Sequence, residues 1–495
     1  MGEYLSPGVY VEEVSSGIKP IEGVGTSTGA FVGIAERGPV GTPVLCTNWS
    51  QFTKAFGSFT ENYLAYAVFQ FFNEGGTKCY VVRAAKGTIA KPLIKAEKVI
   101  DDLTVRANSE GAWGNALSVA VSAETAVVPG DTARTNYFKL TVFYKDKEKE
   151  VKEVEVFDNL TMDETKVKDH VVTKVQSKWI QVVDKGSVRP TDTTAPVALA
   201  GGADGGPLLL TDWAGADGFI YKFDPVDDIN IVAIPDAAGD NTVTQAGYTY
   251  CENRKDCFFV ADTPIGKNPQ DAVKFRMDIG KFNSSFGALY YPWIRVADPL
   301  TGGTKLVPPS GAIVGTISHT DVARGVHKAP AGIDEGYLNS ALDVELALTK
   351  GEHDTLNPIG VNVIRSFPGS GIVVWGARTL SADAEWKYIN VRRLFLFLEE
   401  SILKGTQWVV FEPNTPMLWG KVKRNITAFL TRVWRDGALF GLTADEAFFV
   451  KVDAENNPEE VINAGQLIIE IGVAPVKPAE FVIIRISQKT LGKAA

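Results

Sequence analysis

The stretch Gly25-Thr26-Ser27-Thr28-Gly29 fits the G-x-S-x-G pattern of a hydrolase nucleophile elbow, in which a tight turn holds a serine hydroxyl out for attack. That chemistry needs a strand before the serine and a helix after it. Here the apolar run Ala30 to Ile34 follows as a strand, so Ser27 is not read as a nucleophile. The segment Gly201-Gly202-Ala203-Asp204-Gly205-Gly206 is rich in glycine but lacks the Lys-Ser/Thr of a phosphate-binding loop, and it reads as a flexible junction. Of the histidines His170, His319, His327 and His353, two fall near charged residues, His319 with Asp321 and His327 with Arg324. This predicts a polar cluster between Ser310 and Pro330 that fixes a loop or an interface, because no nucleophile or third metal ligand stands in spacing. Cys46, Cys79, Cys251 and Cys257 show no CxxC pair and no zinc-type His spacing, so they read as buried thiols. No cofactor, metal or catalytic constellation emerges, and the expectation is a protein that is not an enzyme.

A different kind of chemistry is written between Pro416 and Arg435. At 100° per residue, Leu418, Val422, Ile426, Phe429 and Val433 share one helix face, while Lys421, Arg424, Arg432 and Arg435 fall within about 80° of one another on another face. No acidic residue interrupts that cationic stripe, although the chain carries a formal net charge of −9. The stripe predicts either a solvated helix surface, the usual fate of a charge run, or docking against an acidic protein surface. The overall negative charge argues against a general nucleic-acid binder.

These residues need elements to hold them, and the ends of the chain supply more strand than one domain uses. Near the C-terminus, Phe448 to Val452 and Gln466 to Ile471 read as strands, followed beyond Pro475-Val476-Lys477-Pro478 by a third, Phe481 to Ile486. At the other end, Val9 to Val14 reads as a short strand separated from the body of the chain by a loose segment from Ser15 to Glu22. Unpaired strands on tethers are an aggregation hazard unless a partner is specified, so the two arms predict either pairing within the subunit or strand exchange between copies.

The body alternates strand and helix. Ala30 to Ile34, Cys79 to Val82, Ile229 to Ile234, Cys257 to Ala261 and Ala288 to Trp293 are strands. Helices run from a Ser50 cap to Gly57, from Tyr63 to Asn73, from Asn241 to Asn253, from Asn268 and from Pro309 to Arg324. Apolar strands alternating with helices imply a parallel sheet covered on both faces. Between Lys95 and Ala200 the pattern changes to half-exposed antiparallel strands, with Phe138 to Tyr144, Val151 to Val156 and Trp179 to Val183, and one helix from Asp163 to Val175. After Asn357 come two helices, Asn390 to Lys404 and Pro416 to Arg435, with a strand Trp408 to Phe411 between them. The fold class is therefore α/β plus α+β, multidomain. An α/β middle domain (23–94 and 201–356) is interrupted by an inserted, outward-placed β-rich domain (95–200). A C-terminal α+β domain (357–475) follows, and strand arms occupy 1–22 and 476–495.

At 495 residues, 45% of them hydrophobic and 22% charged, the chain has the composition of an ordinary globular protein. No apolar run is long enough to cross a membrane, and Met1-Gly2-Glu3-Tyr4 lacks the basic and apolar regions of a signal peptide, so synthesis in the cytoplasm is expected, and the resemblance described next makes it synthesis and assembly in the bacterial cytoplasm.

Several blocks resemble contractile tail sheath proteins. They are Tyr4-Leu5-Ser6-Pro7-Gly8-Val9-Tyr10-Val11-Glu12-Glu13, Gly111-Ala112-Trp113-Gly114-Asn115, Tyr290-Tyr291-Pro292-Trp293 through Asp298-Pro299 to Val307-Pro308-Pro309-Ser310-Gly311, and His327-Lys328-Ala329-Pro330-Ala331. So do Leu356 to Asn362, Trp375 to Thr379 and Tyr388 to Arg393, in order and over nearly the whole chain, with the weakest match between about 120 and 200. The resemblance implies a structural subunit of a phage tail, a tailocin or a contractile injection system, forming hexameric rings stacked as a helical sheath around an inner tube. Its partners would be other copies of itself, the inner tube protein, and baseplate and tail-terminator or cap proteins, with no nucleic acid and no membrane insertion. Carried onto this chain, the donated arms would include Val9, Tyr10, Val11 and Glu12 at one end and Phe481, Ile483, Ile484 and Ile486 at the other. The acceptor strands would present Phe449, Val450, Ile468, Ile469 and Ile471, and the stripe Lys421, Arg424, Arg432 and Arg435 would face the tube. Competing readings are a non-contractile shell or capsid-like assembly protein and an α/β hydrolase-like enzyme.

Overall fold

The computed structural model describes residues 20–124, 136–145, 150–278, 283–481 and 483–485. The chain divides into two compact units, one made of residues 27–322 and 330–387 and the other of 1–26, 323–329 and 388–495.

The larger unit is built on an eight-stranded sheet. Its strands are β1 (Gly29–Gly33), β2 (Val44–Cys46), β3 (Cys79–Arg83), β4 (Ile231–Ala233), β5 (Phe258–Asp262), β6 (Gly287–Tyr291), β7 (Val361–Phe367) and β8 (Gly371–Val374), in the spatial order β2-β3-β1-β4-β5-β6-β7-β8. Neighbours from β3 to β7 are parallel, with Gly29 opposite Cys79 and Ile231, and Leu289 opposite Val361. The two edge strands are antiparallel, Cys46 lying opposite Cys79 and Phe367 opposite Gly371. Every residue of β1, β4, β5 and β6 is buried, which is why these strands read as apolar runs rather than alternating ones.

Helices α1 (Trp49–Phe56), α2 (Leu64–Asn73), α3 (Asn241–Arg254), α4 (Pro269–Asp278) and α5 (Ser310–Arg324) accompany the sheet. The first is capped by Asn48, whose side chain accepts the Gln51 N–H at 2.9 Å, rather than by Ser50 as the sequence suggested. The crossing of α2 and α5 depends on Gly311 and Gly315. A Cβ on Gly311 would stand 2.3 Å from Ala67 Cα, and one on Gly315 2.7 Å from the Phe71 carbonyl, so only glycine lets the two backbones approach.

Strands β7 and β8 correct the sequence-derived boundary. Residues 357–387 belong to the larger unit because β7 extends the parallel sheet, and the second unit resumes at Tyr388. The apolar pattern of Val361 to Ile364 fits either domain, and only the ladder to β6 decides.

The segment between β3 and β4 carries a three-stranded sheet (Glu97–Ile100, Leu103–Ala107, Ile180–Asp184) and a four-stranded one (Leu117–Ala123, Tyr137–Lys145, Val151–Thr161, Val197–Ala198). They enclose a core of their own that includes Leu103, Leu117, Phe138, Leu140 and Leu160. Leu93–Ile94 pairs with Ala203–Asp204 where the module leaves and rejoins the sheet. Arg37, from the loop after β1, sits 4.2 Å from the Trp179 ring centroid with Trp113 and Tyr144 beside it, a cation–π contact between parent sheet and module.

Two expectations in this region are corrected. Only Val171–Lys174 is helical, not Asp163 to Val175, because the Asp163 carboxylate accepts the Thr165 N–H and hydroxyl and so stabilises a turn that competes with a helix. The glycine-rich 201–206 stretch is tied down rather than loose, with Asp204 Oδ1 accepting the Ala112 N–H and the Lys86 carbonyl accepting the Gly206 N–H.

Candidate assembly interface

The smaller unit rests on two helices, α6 (Ile389–Thr406) and α7 (Pro416–Arg435). The Thr415 side chain caps α7 and Pro416 occupies its first turn, where a missing N–H costs nothing. Leu418, Val422, Ile426, Phe429 and Val433 are all buried, as the wheel required, and pack with Leu394 and Leu398 of α6. The helix α6 runs on past Lys404, and Gly405 lies within it; a Cβ there would press on Ile21 at 2.7 Å.

Against α7 lies a ladder of two strands only, β9 (Phe448–Lys451) and β10 (Glu470–Val473), antiparallel with Phe448 opposite Val473. Phe448 and Val450 turn their side chains into the helix-packed core, whereas Phe449 is exposed. The Ala474 N–H donates to the Ala447 carbonyl at 2.9 Å, which sets the phase of the ladder. Residues 447, 449 and 451 therefore bond to the partner strand, and Phe448, Val450, Ile471 and Val473 direct their backbone groups outward. Among the described residues no further strand extends the ladder, and only a single bridge, Leu439 opposite Pro475, lies just past the end of β10. A two-stranded ladder is marginal alone, and its open edges are templates for further strands.

The predicted second acceptor strand is shorter than expected. Ile468 and Ile469 lie outside it, because buried Asn457 captures both backbone groups of Ile468: its Oδ1 accepts the Ile468 N–H at 2.7 Å and its amide donates to the Ile468 carbonyl at 2.9 Å. Nothing in the apolar pattern of 466–471 signals this; the clue is the side-chain chemistry of Asn457. Similarly, Trp408 to Phe411 is not a strand but a 3-10 turn, Gln407–Val409, followed by Phe411 at φ 69°.

Both tethers are anchored closer to the tips than the sequence suggested. Ile21 is fully buried in the core of this unit, the Arg432 guanidinium donates to its carbonyl, the Val24 N–H donates to Ser401 Oγ at 3.1 Å, and Arg393 donates to the Thr26 carbonyl at 2.7 Å. At the far end, the Phe440 N–H donates to the Ala474 carbonyl, the Val476 N–H to the Ala438 carbonyl, and Tyr388 Oη to Glu480 at 3.0 Å. The described anchors thus reach Ile21 at one end and Glu480 at the other, beyond the limits of 22 and 476 that the sequence suggested for the arms. Phe481, Ile483 and Ile484 are more than two-thirds exposed and belong to no strand. Val9, Tyr10, Val11, Glu12 and Ile486 lie outside the described residues.

Of the cationic stripe, Lys421, Arg424 and Arg435 are exposed and have no ion-pair partner among the described residues. Arg432 is different, since it fastens Ile21. Asn425, next to the stripe, is buried with neither amide atom hydrogen-bonded, a feature that a charge count cannot reveal.

The histidines do not gather. His170 faces Asp184 at 2.8 Å, His319 packs beside Gly75, the His327 carbonyl accepts from Asn390 at 2.7 Å, and His353 lies in a separate short helix, Lys350–Leu356. Ser27 precedes β1, its carbonyl accepting from Ser318 Oγ at 2.9 Å. Among the described residues no group of three or more His, Cys, Asp or Glu side chains is placed to hold a metal. At the carboxyl ends of the parallel strands, where α/β proteins commonly keep their sites, Asp262 is buried and accepts the Ser310 N–H at the start of α5, at 2.8 Å. It is engaged as a structural cap.

Residues 212–380 match the model of the phage tail sheath protein central domain, and 381–489 that of the phage tail sheath C-terminal domain. The chain belongs to the phage tail sheath family. This sheath protein is 24% identical over 490 residues to the tail sheath protein of Burkholderia phage BcepMu, covering 96% of this chain and 94% of that one. Its match to the tail sheath protein of Vibrio phage KVP40, at 30% over 188 residues, spans 38% of this chain and only 27% of that longer protein. Among solved structures, the helical sheath of the anti-feeding prophage in its contracted state aligns with a TM-score of 0.61 and 26% identity, over 98% of this chain and all of that one. The sheath of an extracellular contractile injection system, PVC, in its contracted state shares the fold with a TM-score of 0.63 at 22% identity, over 99% of each chain. The boundary between the two family models, at 380/381, falls within a few residues of the unit boundary at Tyr388. These relatives are tail sheath proteins, which are structural proteins.

Proposed function

We propose that this sheath protein polymerises as hexameric rings stacked around an inner tube, and that its contraction drives the tube through a target envelope. The observation that supports this reading is the ladder of β9 and β10, which no further strand extends among the described residues, in a subunit whose outermost described anchors are Ile21 and Glu480 and whose sequence beyond them carries the apolar runs Val9 to Val14 and Phe481 to Ile486. The N-terminal arm, Val9 to Val14, and the C-terminal arm, from Phe481, add strands to the ladders of neighbouring copies. Each arm forms several backbone hydrogen bonds worth about 1 kcal/mol net apiece. Six residues, Ser15 to Pro20, separate the first arm from its anchor and span at most about 20 to 22 Å, the reach of an adjoining subunit. Such exchange lets subunits slide between two arrangements without separating, so that energy resides in interfaces rather than in chemistry. The exposed cations Lys421, Arg424 and Arg435 face an acidic tube surface. Baseplate and terminal cap proteins close the two ends of the sheath.

Negative-stain electron microscopy of the purified full-length protein tests this directly. Hollow tubes with sixfold end views are expected; closed shells or planar lattices would overturn the reading.

A further inference from the structure

All four cysteines of the chain are buried, reduced and in the larger unit, and they stand as two pairs. Cys46 and Cys79 are register partners between β2 and β3. Cys251, in the last turn of α3, and Cys257, immediately before β5, bring their sulfurs to 3.3 Å across a reversal made at Lys255, whose φ is 65°.

That spacing discriminates between uses of a thiol pair. A tetrahedral metal with metal–sulfur bonds of about 2.3 Å holds two sulfurs about 3.8 Å apart, so these are too close to be a vacated metal site. A disulfide bond is about 2.05 Å, so each sulfur needs to move by only about 0.6 Å, within reach of side-chain torsion.

A cleft opens beside the same stretch of chain. It has a volume of about 400 Å³ and is lined by Tyr221, Asp224, Tyr250, Asn253, Arg254 and Asp256, the last four being close sequence neighbours of the two cysteines. Neither cysteine lines the cleft; both are fully buried and adjoin its lining residues in sequence.

We propose that Cys251 and Cys257 form a reversible redox site that closes to a disulfide by exchange with a small organic disulfide entering through this cleft. One protein thiolate attacks the reagent's S–S bond, forming a mixed disulfide and expelling one reagent thiolate. The second protein thiolate then attacks the mixed disulfide at the protein sulfur and expels the other. The protein loses two electrons and two protons, and the reagent gains them as two thiols. Burial first, then Cys251 and the Asp256 carboxylate, hold the Cys257 thiol well above its ordinary pKa, with the Arg254 guanidinium opposing them in part, so exchange should speed up as pH rises. Asp256 is ion-paired with Arg254 in the cleft lining, and Asp224 and Asp227 leave the cleft net acidic, which selects a cationic disulfide over an anionic one.

The test treats the purified full-length protein with cystamine or with oxidised glutathione, then denatures, alkylates with N-ethylmaleimide, digests and weighs the fragments. Fragments joined between Cys251 and Cys257, lighter by two hydrogens and separated again by dithiothreitol, are expected. Cystamine should close the pair several-fold faster than oxidised glutathione at low ionic strength, the two rates converging in high salt. In Cys251→Ser, cysteamine should remain on Cys257. Maleimide on both cysteines after treatment with excess reagent, or separate cysteamine adducts with no linkage, would overturn the redox site. Equal rates for the two reagents at low salt would overturn the acidic route.

Discussion

Asp262 is a carboxyl group whose pKa burial raises from 3.8 to about 7, against the pull of its bond from Ser310. Its folded-state pKa lies above its unfolded one, so the folded protein holds this proton more tightly. The resulting stabilisation is complete below about pH 4 and is lost as pH climbs through 7, with an upper bound of about 4 kcal/mol for the group. Asp262→Asn keeps the acceptor and removes the titration. The difference in melting temperature between variant and parent should therefore move in the variant's favour from pH 5 to pH 8, as followed by calorimetry. A difference that stays constant would show that Asp262 does not titrate there. The cationic stripe makes a second residue-scale claim. Arg424→Glu with Arg435→Glu should leave the melting temperature within about 2 °C of the parent, because exposed charges contribute little to folding, yet should weaken tube-templated assembly at least tenfold at moderate salt. Unchanged assembly would reject the tube-facing assignment. Arg432 is unsuitable for this test, since its guanidinium holds Ile21 and its loss would disturb the anchor.

At the scale of elements, the phase of the β9–β10 ladder separates two kinds of substitution. The Ile471 N–H points away from β9, so Ile471→Pro removes a donor that only an added strand would use, while Phe449→Pro breaks the subunit's own ladder. The first should cost about 1 to 2 kcal/mol of stability, mostly lost side-chain packing, and abolish tube formation. Sedimentation and microscopy would check it, and tubes of normal length from Ile471→Pro would remove β10 as an acceptor. Much of this architecture was legible in advance. The buried parallel strands announced themselves as apolar runs, and α7 by its face of Leu418 to Val433. What escaped the pattern was settled by side chains acting on backbone: Asn457 holding Ile468 out of the ladder, Asp163 turning the chain where a helix was expected, and Asn48 capping one residue pair earlier than Ser50. Periodicity measures where apolar groups fall, and it is blind to an amide that satisfies a particular N–H.

For the whole molecule, β7 and β8 show the limit of a one-dimensional boundary. Their strands are as apolar as those of the next domain, and it is the parallel ladder to β6, formed across a long crossover, that assigns them. The arms pose the same problem from the opposite side: their apolar character was plain, but their outermost described anchors, Ile21 and Glu480, emerge only from contacts distant in sequence. The central claim is that these ends complete sheets in other copies of the chain. Removing residues 1–14 leaves Ile21 and its anchors untouched, so the most direct measurement is electron microscopy of that truncation beside a melting curve. The account predicts subunits that melt as the full-length protein does but build no long tubes. Truncated protein that forms tubes of ordinary length would contradict it.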